Sequence, residues 1–395
     1  MKAERALFLI RFYRKFRRLF LGLPDRRRPG DSPDSAGGPP GARLPDSLAG
    51  ALRSGAWGGF LSIPIIALLV LVVLVFLLSK TPGRTLGFFF FGPFRNLYNF
   101  GNMLNSAIPL IFGGLGVSIA MKGGHFNLGG EGQIYAGAFT ATICALALAP
   151  LGIFGGVLSL LAGACLAGTA AGFSGLCKAR WDTSELITSF LVSNILVLIV
   201  NYLVNGPFLD PETNLQSTKK IAASLRLPLI LPPSNLSAAL FAALAAVVLT
   251  QFFLKRTKPG YEIRMAGANE TFARYGGINI RLNTVLAMFL SGGLYGLAGG
   301  LAVFGAYYGT VKEFSSGLGW NGLAAALVAR FYPPAVIPAA LFFSWIGQGA
   351  RIAMQNSDLS FEVASIVQSL IFFLVTSLSV RNFFGKKIAD REEKK

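Results

Sequence analysis

Charge is scarce in this chain. Of 395 residues, 14% are Asp, Glu, Lys or Arg, against roughly 25% in soluble domains. Acid is scarcer still, with 18 Asp and Glu against 36 Lys and Arg, and His125 is the sole histidine. The three cysteines, Cys144, Cys165 and Cys177, fall within or at the end of apolar runs and form no CxxC pair, so they spell out neither a disulfide framework nor a metal site. One histidine and scattered cysteines cannot assemble a metal centre. The P-loop string (GxxxxGK followed by Ser or Thr) is missing, and with it the loop that cradles nucleotide phosphates. Neither GxSxG nor HExxH occurs, and no nucleophile–base pair stands out, which speaks against an intramembrane enzyme.

What is present is apolar. Hydrophobic residues make up 53%, and the mean hydropathy is +0.57. The 47 glycines suit close helix packing in lipid. Stretches long enough to cross a bilayer lie near 57–79, 104–121, 129–149, 152–177, 184–204, 236–254, 284–305, 319–331, 334–350 and 363–380. The expected fold is therefore all-α, a polytopic membrane helix bundle of about ten transmembrane helices, with the eighth and ninth short enough to be broken or tilted. The run at 57–79 is too long and too deep in the chain for a signal peptide, so it reads as a retained first span.

Orientation follows from the positive-inside rule. With the N-terminus cytoplasmic, the inner segments carry 28 of the 36 Lys and Arg. Lys80, Arg84, Arg95, Lys219, Lys220, Arg226, Lys312 and Arg351 are left outside. The reading is a multi-pass protein of a bacterial cytoplasmic membrane with both termini inside. The net charge of +18 is then mostly a topology signal, and no soluble domain offers a basic face for nucleic acid.

Residues 1–54 form a basic cytoplasmic arm and a Pro/Gly-rich linker, 55–381 the membrane domain, and 382–395 a cytoplasmic tail. In the arm, Leu9, Phe12, Tyr13, Phe16, Leu19 and Phe20 recur at helical spacing opposite Arg11, Arg14, Lys15 and Arg18. That pattern suits a helix on anionic membrane lipid, and equally a basic tail that only fixes topology.

The segment "GLGVSIAMKGGHFNLGGEGQIYAGAF", residues 114–139, interrupts the apolar pattern with Asn127, Glu131 and Gln133. A carboxylate at membrane depth costs at least ~2.5 kcal/mol, and irregular backbone there survives only when protein covers it or a water-filled cavity borders it. The segment either belongs to a path through the bilayer or is a surface loop in which Glu131 caps the next helix. Elsewhere, Gly292, Gly296 and Gly300, the pair Gly168 and Gly172, and the pair Gly152 and Gly156 fall four apart, as packing seams do.

The loop 255–283 is too polar to enter the bilayer. Its core "GANETFARYGGI" reads as a short helix capped by Asn269, favoured by Glu270 at its start and stopped by Gly276–Gly277. Ala268, Phe272 and Tyr275 make an apolar edge beside Arg274. Such an edge suits docking into another protein's cleft, or belongs to a plain connector.

The strings "GYEIRMAGANETFARYGGINI", "FLSGGLYGLAGGLAVFG" and "GLGWNGLAAALVAR" resemble the permeases of ABC importers of the ribose and branched-chain amino acid superfamily. "FNLGGEGQ" and "TSELITSFLVSNILVLIVNYLV" look like the subgroup that works with basic-membrane-protein-type lipoproteins and mostly serves nucleosides. The resemblance runs from about Gly101 to Arg381. It implies that Asn127, Glu131, Gln133, Glu185 and Asn194 lie on the substrate pathway. It also implies that Gly267, Ala268, Asn269, Glu270, Arg274 and Tyr275 form the helix that couples to the ATPase. Departures are Ser184–Glu185 where the subgroup has Asn–Glu, "FLVSNIL" where it has "LMLNYI", and Gly130 at a frequent alanine.

The resemblance further implies a chain that binds no cofactor itself. An ABC ATPase subunit uses the ATP, an extracytoplasmic binding lipoprotein delivers the substrate, and a second copy or a paralogous permease completes the channel. The leading expectation is a nucleoside importer subunit. The alternatives are the same architecture carrying riboflavin, a simple sugar or another small polar metabolite, and an ion-coupled carrier, which should show more ionisable groups within its spans than Glu131 and Glu185.

Overall fold

Side chains that take up orphan backbone groups set the helix ends. The computed structural model describes residues 68–358, except 74, 78 and 316, with isolated residues at 366 and 369. The expected N-terminal arm and linker, most of the first span, almost all of the span at 363–380, and the tail at 382–395 lie outside the described residues. The chain divides into two units, Met1–Leu69 and Val70–Lys395.

Among the described residues from 82 to 356, eleven helices follow one another: α1 Pro82–Phe91, α2 Leu97–Lys122, α3 Gly130–Ala147, α4 Gly152–Trp181, α5 Glu185–Asn205, α6 Ala239–Arg256, α7 Lys258–Ala268, α8 Glu270–Tyr275, α9 Ile280–Ala302, α10 Leu318–Val328 and α11 Pro333–Asn356. Extended pairing among the described residues is limited to isolated bridges, such as Ser217 with Val311. Among the described residues six stretches are long and apolar enough to cross a membrane: α2, Ala149–Trp181, α5, α6, Ile280–Tyr307 and α11.

Six of the eight spans expected between residues 104 and 350 are found in this form. The other two are not of full membrane type. The third, α3, is 18 residues long and carries Glu131 in its first turn. The eighth, α10, has only 11 residues. The ninth, expected to be short, is a 24-residue helix with Pro338 inside it. It runs on through Arg351 because Asn356 Nδ2 and Ser357 Oγ donate to the carbonyls of Ile352 and Ala353 at 2.8 and 2.6 Å, taking up acceptors that a helix end leaves open.

The loop ends sort to two sides. At one end, the backbone of Gly267 presses against Lys122–Gly124, His125 faces Glu185, and Lys255 Nζ sits 5.6 Å from the Tyr332 ring. At the other end, Thr218, Ile221 and Leu227 donate backbone hydrogen bonds to Thr310, Tyr308 and Phe304, tying the 206–238 connection to the segment after α9.

Small residues hold the centre. A Cβ at Gly292 would lie 2.5 Å from Ala171 Cβ, one at Gly296 2.6 Å from the Gly163 carbonyl, and one at Gly168 2.9 Å from the Phe289 carbonyl. The expected seam is thus the α4–α9 contact. It gains a third member the spacing did not reveal, because a side chain at Gly137 of α3 would overlap Gly296 and one at Gly163 would overlap the Gly137 carbonyl. Gly152 is a correction: nothing approaches it within 4 Å, and at φ 53° it makes the left-handed turn into α4. The seam positions the first turn of α3 beside the middle of α9, and the functional residues collect there.

Candidate functional site

After α2 ends, the chain turns back into the bundle before it resumes a helix. Asn127 Nδ2 donates to Ser291 Oγ at 3.0 Å, and Ser291 lies eleven residues into α9, about 16 Å along that helix. A side chain at Gly130 would strike the Tyr295 ring, one turn further in. Helix α3 therefore starts about halfway along α9, and α10 starts beside the middle of α2, because Gly322 in its second turn packs on Gly113.

The two half-helices meet start to start. A Cβ on Gly319 would overlap the Glu131 backbone nitrogen, so only glycine allows the contact. Each N-terminus carries roughly half a positive charge from its unpaired N–H groups. Glu131 stands at the meeting point, with Oε2 accepting from the Gly319 N–H at 3.0 Å. A carboxylate in the first turn of α3 thereby also caps α10. The capping expected of Glu131 takes another form, on a distant helix.

The open N–H groups of α3 are taken up one by one. Asn127 Oδ1 accepts from Gly129 N–H at 2.9 Å, Ser189 Oγ from Leu128 N–H at 3.0 Å, and Ser193 Oγ from Gly132 N–H at 2.8 Å. Asn127 and Gln133 also exchange carboxamide hydrogen bonds at 2.9 and 3.0 Å, and both are buried. Their polar atoms hold the re-entrant backbone in place, which unsatisfied groups at that depth would not permit.

Beside them lies a narrow cleft, with room for about one water, lined by Asn127, Leu128, Gly130, Glu131, Tyr295, Gly319, Trp320 and Leu323. Trp320 is 41% exposed, and its ring lies 6.5 Å from that of Phe190 on α5. Asn194, one turn beyond Phe190, donates to the Phe190 carbonyl at 2.8 Å and points out of the chain. The cleft therefore adjoins an outward face bearing Trp320, Phe190 and Asn194. An amide on a lipid-facing surface is costly, so this face suits a protein partner or a wet path.

Of the five pathway residues expected from sequence, the structure brings together Asn127, Glu131 and Gln133. Asn194 lies on the adjoining outward face. Glu185 does not join them: it opens α5, eight residues and about 12 Å before Ser193, where it faces His125 Nδ1 at 3.8 Å. Sequence reading missed Ser189, Ser193, Ser291 and Gly319. The first two carried a signal, since serines four apart in an apolar helix share one face.

The polar loop forms two helices where one was expected. Thr257 Oγ1 caps α7 through the Gly260 N–H at 3.2 Å, and Ile263 is fully buried beneath it. Asn269 ends α7 and caps α8 through the Phe272 N–H at 2.9 Å, and Gly277 at φ 78° follows its close. Ala268, Phe272, Arg274 and Tyr275 are all exposed, with Tyr275 at 90%, while Ala273 is the anchor turned inward. Glu270 and Arg274 form an ion pair at 2.8 Å. Gly267 is the seat of the whole element, because it touches the turn that leads into Asn127.

Similar proteins carry a consistent label. A probable riboflavin import permease of Treponema pallidum is 32% identical over 78% of this chain and 82% of its own. A guanosine ABC transporter permease of Bacillus subtilis is 30% identical over 75% and 86%, and a glucose ABC transporter permease of Haloferax volcanii 31% identical over 76% and 82%. No solved structure matches. The sequence model described as the permease component of branched-chain amino acid transport systems matches residues 99–376, and the chain belongs to that family of membrane transport permeases.

Proposed function

We propose that this chain is the permease subunit of an ATP-driven importer of nucleosides, and that its transport path runs past Glu131. The observation that carries the reading is the junction of α3 and α10, where two helix starts meet at a carboxylate beside a cleft. Half-helix starts of this kind hold polar solutes in membrane carriers. A nucleoside presents hydroxyl and amide-type groups that a carboxylate can accept from and a carboxamide can both accept from and donate to. Permeases named for guanosine and for nucleosides in Bacillus subtilis and Lactococcus lactis support that cargo.

In this reading the outward face with Phe190, Asn194 and Trp320 meets a second permease, identical or paralogous, and the path opens between the two. Exposed α8 and the seat at Gly267 dock the ATPase, which binds and uses the ATP. A lipoprotein outside delivers the substrate. The end bearing α7 and α8 is cytoplasmic, as the distribution of Lys and Arg requires, and the membrane is a bacterial inner membrane. Alternation of access follows from the ATPase moving α8, and through Gly267 the turn that leads into Asn127.

A riboflavin cargo is the second reading, favoured by the Treponema pallidum relative and by the aromatic rings of Tyr295 and Trp320 at the cleft. The deciding experiment is uptake into proteoliposomes holding the permease, its ATPase and its lipoprotein. Labelled guanosine, riboflavin and glucose are compared with and without ATP. ATP-dependent guanosine uptake that excess unlabelled adenosine suppresses supports the nucleoside reading. Uptake of riboflavin alone replaces it.

A further inference from the structure

Helix α1 has 10 residues, about 15 Å, and cannot cross a bilayer. It lies against the far half of α11 and leads into the start of α2. The Trp345 indole N–H donates to the Phe90 carbonyl at 3.1 Å, Gly92 packs against Ile352 near the end of α11, and Asn96 then caps the start of α2. Phe89 is buried against that support, whereas Phe91, Phe94, Leu97 and Tyr98 are exposed. Exposed aromatics at the end of a span mark the headgroup level.

Two guanidiniums converge there. The Arg84 and Arg95 guanidinium carbons lie 5.7 and 4.4 Å from the centre of the same Phe88 ring. Among the described residues neither has an ion-pair partner. Asp358, a carboxylate beside α1 among the described residues, is engaged by the Ser79 hydroxyl at 2.7 Å, the Lys80 N–H and the Thr81 and Thr85 hydroxyls. Two cations gathered on one ring at a low-dielectric boundary repel each other until an anion joins them. Beside them, Gly83 and Gly87, four apart on one face, have nothing within 4 Å of where a Cβ would stand. They leave an open trough along the helix next to Phe91.

We propose that Arg84 and Arg95 bind the phosphate of an anionic phospholipid, with the start of its acyl chain in the trough over Gly83 and Gly87. The arginine fork matches phosphate oxygens in pairs. The exposed phenylalanines supply an apolar edge for the chain. Free phosphate shares the first contact and lacks the second.

The test is native mass spectrometry of the full-length chain in detergent, titrated with phosphatidylglycerol, phosphatidylcholine or glycerol 1-phosphate. Wild type should retain phosphatidylglycerol over phosphatidylcholine and bind glycerol phosphate far more weakly. Arg84→Gln and Arg95→Gln should each weaken phosphatidylglycerol binding about fivefold, and the pair about 25-fold, the scale expected for one basic residue apiece at a membrane surface. The R84K/R95K variant should keep most of the preference. Gly87→Leu, which fills the trough without meeting a neighbour, should weaken the lipid and leave glycerol phosphate binding unchanged. Should the double Gln variant fail to fold, salt titration of wild type replaces it, and phosphatidylglycerol should be released by salt while phosphatidylcholine is not. Equal binding of the two lipids, a preference that survives R84Q/R95Q, or salt-insensitive binding overturns the proposal. Glycerol phosphate binding as tight as the lipid overturns its lipid half.

Discussion

The Glu131 carboxylate accepts from the Gly319 backbone N–H across 188 residues of sequence, at 3.0 Å. One side chain thus closes a helix to which it does not belong, and the first turns of α3 and α10 are held as a unit. If the transport path passes this junction, its strength sets how readily the two half-helices separate.

Changing Glu131 should separate transport from folding. Glu131→Gln keeps an oxygen for the Gly319 N–H and removes the charge, so assembled protein should persist while uptake per assembled complex falls about tenfold, the effect of about 1.4 kcal/mol on a barrier. Glu131→Ala removes the cap as well and should cost about 1–2 kcal/mol of stability. Uptake normalised to complex recovered on a column, with a thermal melt of each variant, is the check. Unchanged uptake per complex in both variants would leave Glu131 a purely structural role.

Reversing Arg274 should disconnect the ATPase. The Glu270–Arg274 pair is exposed on both sides, and such pairs contribute only about 0.2–1 kcal/mol to stability. Arg274→Glu should therefore insert and fold like wild type yet lose co-purifying ATPase and uptake together. Wild-type uptake with the reversed charge rules out α8 as the docking element.

The glycine seam should tolerate nothing larger. Gly137→Ala puts a methyl group into Gly296, where backbone meets backbone, and should lower stability by about 1–3 kcal/mol. Gly87→Ala, with open space at the same atom, should be neutral or gain up to about 1 kcal/mol through the unfolded chain. Melting temperatures of the two variants in one detergent give the comparison.

The connection after α10 stores backbone strain that glycine should release. Arg330 and Phe331 adopt φ 53° and 58°, a left-handed region that costs a non-glycine residue about 1–2 kcal/mol. Arg330→Gly, where the side chain is exposed, should raise stability by about 1 kcal/mol, read from the melt.

Orientation is open to a chemical reading. In a background with Cys144, Cys165 and Cys177 replaced, single cysteines at 210–225 should react with an impermeant thiol reagent added outside, and those at 260–275 should not. The opposite pattern reverses the orientation and the direction of transport.

Elements whose signal is local are legible in the sequence. Asn269 caps α8 and Gly277 follows its close as expected, because both act within a few residues. The α4–α9 seam shows in glycines four apart. What escapes depends on distant partners. Nothing around Gly319 marks it as the seat of Glu131, and hydropathy cannot tell that α3 starts halfway along α9. The polar composition of residues 258–268 conceals α7, whose one deeply buried apolar side chain, Ile263, leaves no periodic stripe. Asn127 and Gln133 stand out as polar groups in an apolar run, but spacing alone does not tell that they bond to each other.

Helix α10 also bears on how the protein is made. At 11 residues, about 16 Å, it is half the thickness of a hydrocarbon core, and a segment of that length cannot leave the insertion machinery as a span of its own. Its open N-terminal groups need Glu131, which is synthesised almost two hundred residues earlier. The cap and the helix it closes therefore come from opposite ends of the bundle's sequence, and α10 is completed only when both are in place.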